Sequence, residues 1–150
     1  MKGYLHVDLD KCTGCRTCEI VCSLVHTGEN NPMRARIYVI RNKFGVEMRP
    51  VYCRQCARPP CAENCPTDAI HYDEERAMVL IDYDKCIGCK ICVQSCPFGA
   101  MKVDPVTGQV IKCDLCGGDP QCVKYCIDHA ITFIPIGKQE KVIRSAVSKL

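Results

Sequence analysis

Residues 86 to 97 read Cys86-Ile87-Gly88-Cys89-Lys90-Ile91-Cys92-Val93-Gln94-Ser95-Cys96-Pro97, four Cys spaced C-x2-C-x2-C-x3-C. The same spacing recurs at Cys12, Cys15, Cys18 and Cys22. Two further groups, Cys53, Cys56, Cys61, Cys65 and Cys113, Cys116, Cys122, Cys126, keep the opening C-x2-C and the closing C-x3-C and lengthen the middle gap. Together the four groups use all 16 Cys of the 150-residue chain, so none is left over.

What thiols at this spacing do depends first on their redox surroundings. The N-terminal stretch Met1-Lys2-Gly3-Tyr4-Leu5-His6-Val7-Asp8 has no apolar signal region, because His6 and Asp8 interrupt it. A cytoplasmic location is therefore expected, and there thiols stay reduced rather than pairing as disulfides. Metal ligation remains. Structural zinc usually takes two C-x2-C pairs from separate knuckles. Three Cys in one tight loop, with a fourth on the following turn pointing to a second site, suit a [4Fe-4S] cube instead. Sixteen thiolates at four per cube give an expectation of four [4Fe-4S] clusters. Every ligand slot holds Cys, so no [3Fe-4S] site is expected.

The sequence repeats itself. Val7-Asp8-Leu9-Asp10-Lys11-Cys12-Thr13-Gly14-Cys15 reappears as Ile81-Asp82-Tyr83-Asp84-Lys85-Cys86-Ile87-Gly88-Cys89, the mark of a duplicated unit. Short alternating segments flank the Cys loops and are expected as strands: Leu5 to Leu9, Ala69 to Asp73, Met78 to Asp82, Ala100 to Asp104 and Ala130 to Ile134. Gly14 and Gly88 allow a positive φ that turns backbone N–H groups inward. A helical turn is expected through the last Cys of each group, ended at Cys65-Pro66 and Cys96-Pro97 by the proline. The fold class that follows is α+β: two bacterial-ferredoxin-like units of short strands, Cys loops and short helices, with the clusters serving as core.

Cys-Pro occurs only in groups two and three, which pairs those two as one unit and leaves groups one and four, with Ser23 and Ile127 at that position, as the other. The first unit covers roughly 48–108 and the second roughly 1–30 plus 109–136, within a tandem domain of 1–136. Exchange of the fourth Cys inside each unit gives four sites. Site 1 is Cys12, Cys15, Cys18 and Cys126, and site 2 is Cys22, Cys113, Cys116 and Cys122. Site 3 is Cys53, Cys56, Cys61 and Cys96, and site 4 is Cys65, Cys86, Cys89 and Cys92.

All four Cys groups and both Cys-Pro steps, from about Leu5 to Ile134, resemble the four-cluster iron–sulfur subunits of the dimethyl sulfoxide reductase and formate dehydrogenase type. The resemblance implies an electron-transfer subunit with no catalysis of its own, and its family pairs the groups in the same way. It also implies a large catalytic oxidoreductase subunit as partner and a second redox partner, a flavoprotein or ferredoxin. The chain lacks long inserts, and its small size favours a tungsten or molybdenum aldehyde or formate oxidoreductase. The alternatives are a standalone soluble polyferredoxin, or the electron-transfer subunit of a hydrogenase or carbon monoxide dehydrogenase.

Composition narrows the remainder. Charged residues are 25% of the chain and the formal net charge is +3, too balanced for disorder or for nucleic-acid binding as a first reading. No apolar run is long enough to span a membrane. Four oxidised cubes on thiolates would add about −8, which turns the mild basicity of the empty chain into a net charge near −5. His6, His26, His71 and His129 are read as structural or surface residues, since the ligand sets are already complete. Asp8/Asp10 and Asp82/Asp84 are read as shaping the step from strand to loop. Lys11 and Lys85 directly precede a Cys and are either solvated or a source of positive charge beside a cluster. Ile70, Ile87, Ile91, Val93 and Phe98 are expected to keep water from the cubes. The basic run Arg34, Arg36, Arg54, Arg58 is expected as a solvated or docking face. In the tail, 137–150, Val142, Ile143, Ala146, Val147 and Leu150 share one helical face, a candidate for docking to another subunit or for self-association.

Overall fold

Short alternating segments pair as four two-stranded antiparallel ribbons, with a Cys loop and a brief helix between them. The computed structural model describes residues 2–41 and 47–136. In chain order the strands are β1 (Gly3–Val7), β2 (Tyr38–Arg41), β3 (Met48–Val51), β4 (Ile70–Asp73), β5 (Met78–Ile81), β6 (Lys102–Val103), β7 (Val110–Ile111) and β8 (Ile131–Pro135). The helices are α1 (Thr17–Thr27), α2 (Pro60–Glu63), α3 (Ile91–Ser95) and α4 (Gln121–Lys124), with 3-10 turns at Pro32–Arg34 and Leu115–Gly118. The amphipathic tail lies outside the described residues.

Pairing follows the repeat. β1 and β8, the first and last of the described strands, pair with each other, with Leu5 opposite Phe133. β4 and β5 form the hairpin between groups two and three, with Ile70 opposite Ile81. α1 packs on α4 and α2 on α3, so the helices of groups one and four meet, as do those of groups two and three. β6 is only two residues long, less than Ala100 to Asp104 suggested, and it pairs with β7. The β2–β3 ribbon lies outside the expected strands, and it carries Pro50 within β3. In a two-stranded ribbon each strand has one unpaired edge, and Pro50, opposite Val39, is tolerated there.

The helices sit one Cys earlier than expected in three groups. α2, α3 and α4 contain the third Cys, namely Cys61, Cys92 and Cys122, and stop before the fourth. Pro66 and Pro97 bias Cys65 and Cys96 away from helical ψ, and Cys96 has φ −80 and ψ 111. Group one has Ser23 after its last Cys. There the helix runs on to Thr27, where Gly28 caps it at φ 73 and its N–H bonds to the Leu24 carbonyl at 2.9 Å.

Two apolar cores result. One joins Leu5, Ala35, Ile37, Val39, Tyr52 and Ile131 to the buried Cys18, Cys22, Cys113 and Cys122. The other joins Ile70, Val79, Met101 and Val110 to Cys61 and Cys92. Buried polar groups tie the segments together. The Glu19 carboxylate accepts the Val39 N–H at 2.5 Å, a donor whose burial without a partner would cost about 1–3 kcal/mol.

The basic run divides: Arg34 and Arg36 are tied into the fold, whereas Arg54 and Arg58 are exposed, as a solvated face would be. The Arg34 guanidinium donates from Nε to both oxygens of the buried Asp104 at 3.1 Å, and from Nη2 at 3.0 Å. Arg36 pairs with Asp114. Arg54 lies over the Tyr52 ring at 4.8 Å, and Arg58 faces Glu63 at 3.8 Å. The Asp pairs act as the repeat suggested. Asp8 and Asp82 accept the N–H groups of Asp10 and Asp84 at 3.2 and 3.0 Å, each an Asx turn at the strand-to-loop step.

Candidate metal centres

The backbone of the Cys loops is set by a repeated series of left-handed residues. Gly14 and Gly88 have φ 72 and 69, and Arg16 and Lys90, one after the second Cys, have φ 62 and 64. Asp68, Gly99 and His129, each three residues after a group's last Cys, have φ 51, 62 and 49. Non-glycine residues held there carry strain of order 1 kcal/mol each. The recurrence at equivalent positions makes it a property of the loop, which turns amide N–H groups toward sulfur. The Arg36 N–H donates to the Cys22 Sγ at 3.2 Å and the Ala100 N–H to the Cys96 Sγ at 3.3 Å.

These loops bring the cysteines together in fours. Cys12, Cys15 and Cys18 line one cleft with Cys126, walled by Val39 and Ile131. Cys86, Cys89 and Cys92 line another with Cys65, walled by Ile70, Ile81 and Val110. Cys22 adjoins Cys113, Cys116 and Cys122, acting electrostatically on all three. Cys61 is acted on by Cys53, Cys56 and Cys96. The thiols of each foursome therefore come from two Cys groups. One foursome also meets another, since Cys53 acts on Cys113.

Burial and crowding decide how readily the thiols ionise. Burial, followed by the charge of Glu19, pushes Cys18 up to about 12. Burial and then Cys53 push Cys61 to about 12, while burial and then Cys22 do the same for Cys122. Cys113 is pushed well above the usual thiol range, chiefly by burial. At the surface the balance reverses. The Thr17 hydroxyl, 3.4 Å from the Cys15 sulfur, leads the groups that lower the Cys15 pKa. Burial opposes ionisation of Cys65, but the Thr67 amide and hydroxyl, with the Ala69 and Ile70 amides, outweigh it. Buried thiols this crowded ionise only against positive charge in their midst. Four sulfurs ringed by backbone N–H donors fit the cationic core of an iron–sulfur cube.

Neighbouring side chains are organised around the foursomes. His26 donates to the Cys22 carbonyl at 2.8 Å and to Asp114 at 3.1 Å. Burial disfavours the charged ring, but the Asp114 and Cys22 hydrogen bonds outweigh it and raise the His26 pKa to about 10. Burial opposes the Asp114 charge, yet His26 and Arg36 hold its carboxyl well below the usual carboxylate range. His26, Asp114 and Cys116 come within reach of a common ion, but the first two already pair with each other. The expected shield is only partly one: Ile70 is buried, whereas Ile87, Ile91 and Phe98 are 68%, 41% and 48% exposed.

Sequence reasoning missed Gln55 and Lys112. Gln55 is 1% exposed and has φ 52. Its amide donates to the Cys113 carbonyl at 2.8 Å and accepts the Val79 N–H at 2.8 Å, spanning both cores. Nothing in its sequence context signals this. Lys112 did carry a signal, because it precedes a Cys as Lys11 and Lys85 do. Its ammonium is buried and donates to the Cys113 carbonyl at 3.0 Å.

The geometry agrees in kind with known proteins. Residues 44–135, which include Cys groups two, three and four, match the model of the 4Fe-4S dicluster domain. Residues 9–28, which include group one, match that of a 4Fe-4S binding domain. The chain is 44% identical over 144 residues to the aliphatic sulfonate oxidoreductase polyferredoxin-like subunit of Pyrococcus furiosus, spanning 95% of this chain and 83% of that one. It is 36% identical to the electron transport protein HydN of Escherichia coli K12, over 95% of this chain and 93% of HydN. Among solved structures it is similar to a chain of the active site complex BamBC of benzoyl coenzyme A reductase with 1,5-dienoyl-CoA. There the TM-score is 0.53 at 29% identity, covering 99% of this chain and 90% of that chain. No helix among the described residues is long and apolar enough to cross a membrane.

Proposed function

The chain belongs to the 4Fe-4S dicluster domain family, and on that premise we propose that it is the non-catalytic electron-transfer subunit of a multi-subunit oxidoreductase, holding four [4Fe-4S] clusters. Cys12, Cys15, Cys18 and Cys126 would hold the first, and Cys22, Cys113, Cys116 and Cys122 the second. Cys53, Cys56, Cys61 and Cys96 would hold the third, with Cys65, Cys86, Cys89 and Cys92 holding the fourth. A bound [4Fe-4S] cluster supplies one-electron oxidation and reduction. The chain's own residues supply the ligands, the amide and hydroxyl donors to sulfur, and apolar walls against water.

One observation carries the relay reading. The first and fourth foursomes each have one exposed thiol, Cys15 and Cys89, while the second and third have none. The inner two adjoin through Cys53 and Cys113 and are clamped by Gln55. The chain thus presents two ends that each have an exposed cysteine, joined by a middle that has none, which suits a protein with one redox partner at each end. The partners we assign are a large catalytic subunit and a flavoprotein or ferredoxin. The catalytic subunit would be of the tungsten or molybdenum aldehyde or formate type. Support for a fixed subunit comes from the Pyrococcus relative, named a subunit of an oxidoreductase, and from the BamBC complex.

Affinity purification of the tagged chain from its own cells, under anaerobic conditions, tests the proposal. The expected result is one large subunit in stoichiometric amount, whose substrate bleaches the iron–sulfur absorbance of the complex. A chain that purifies alone and exchanges electrons with many carriers would instead be a freestanding polyferredoxin.

A further inference from the structure

Three lysines directly precede a cluster-type Cys, and the fold treats them differently. Lys11 and Lys85 have side chains 61% and 62% exposed and pair with Asp8 at 3.0 Å and Asp82 at 3.7 Å. Lys112 is 3% exposed. Among the described residues no carboxylate pairs with it, and its ammonium donates to the Cys113 carbonyl at 3.0 Å. A buried ammonium without an anion is strongly disfavoured. Asp114 lines a cleft with Lys112 but is paired with His26 and Arg36, which leaves the cysteine foursomes as the further negative charge beside the lysine. Lys112 hydrogen-bonds within the Cys113 set and acts electrostatically on Cys61 of the neighbouring set, opposing the rise that burial imposes there.

We propose that Lys112 is the fixed positive counter-charge shared by the two inner sites, Cys22/Cys113/Cys116/Cys122 and Cys53/Cys56/Cys61/Cys96, and that it raises their reduction potentials above those of the outer two. This rests on the four-cluster reading. Lys112 acts through the ligands and is a positioning residue, not a catalytic one. A positive charge close to a centre that gains an electron stabilises the reduced state. At an effective dielectric of about 20 and a separation within about 10 Å, its loss changes the reduction equilibrium by about tenfold. For a one-electron couple that is about 59 mV.

Anaerobic redox titration followed by electron paramagnetic resonance tests this on wild type, Lys112→Gln, Lys112→Met and Lys112→Arg, with Lys11→Gln and Lys85→Gln as controls. Two midpoints are expected to fall about tenfold in equilibrium constant in both Gln and Met variants. Arg should keep them near wild type, and the controls should leave all of them in place. Gln retains a donor to the Cys113 carbonyl, so wild-type potentials in that variant would assign the effect to the hydrogen bond and overturn the charge role. Equal shifts in the Lys11→Gln or Lys85→Gln controls would overturn it as well. Should the neutral variants shed iron, Lys112→Arg decides. Iron retained there supports the charge, and iron lost there too makes Lys112 a packing residue. The iron content of wild type reports separately on the four-cluster reading.

Discussion

A chain carrying both Cys22→Ala and Cys113→Ala is expected to bind about twelve iron atoms, one cube fewer than the about sixteen of four cubes. Both residues belong to one foursome in the crossed assignment, so removing both empties one site. The pair Cys12→Ala and Cys22→Ala removes ligands from two foursomes, and iron is expected to fall toward about eight. If each Cys group instead held its own cluster, the two doubles would exchange results. The physical basis is that Cys22 lies well inside α1, on the helical turn after Cys18. There its sulfur accepts the Arg36 N–H and crowds Cys116 and Cys122. Iron analysis and native mass spectrometry of the two doubles separate the assignments.

Stripping the iron with an oxidant and a chelator is expected to abolish the cooperative fold. The elements have little to stand on alone. Helices of four and five residues, such as α2, α3 and α4, are far shorter than an isolated helix needs. Two-stranded ribbons are marginal in water. Six of the buried core residues are cysteines, namely Cys18, Cys22, Cys61, Cys92, Cys113 and Cys122. Without iron, the cores lose the covalent crosslinks that join segments far apart in sequence, and binding free energy is folding free energy here. Hydrogen exchange and near-ultraviolet circular dichroism should show loss of protection and of fixed packing, restored when iron and sulfide are returned under reducing conditions. A stripped chain with a sharp thermal transition near that of the loaded protein would show that the polypeptide packs without its clusters.

Local chemistry was legible in the sequence, as was the pairing of the Cys groups, whereas other long-range contacts were not. The Cys spacing, the repeated Asp pairs and the left-handed Gly14 and Gly88 are properties of a few adjacent residues, and the loops form as they imply. The β2–β3 ribbon lies outside the expected strands, and it carries Pro50, whose cost depends on whether that edge of the strand is used. Arg34 and Arg36 read as a basic surface because their partners, Asp104 and Asp114, lie 70 and 78 residues further on. Ile87 and Phe98 read as shields because hydrophobicity alone does not reveal which side of a loop faces water. Lys112 carried the same Lys-Cys signal as Lys11 and Lys85, but only burial tells the three apart. Gln55 is the opposite case: its role exists only once two loops have met.

Iron and acid-labile sulfide per chain, determined on protein purified without exposure to air, decide whether the four foursomes hold clusters. Four cubes held by sixteen cysteines predict about sixteen of each per chain. About eight of each would leave half of the foursomes without a cluster, and zinc in place of iron with no sulfide would contradict the relay altogether.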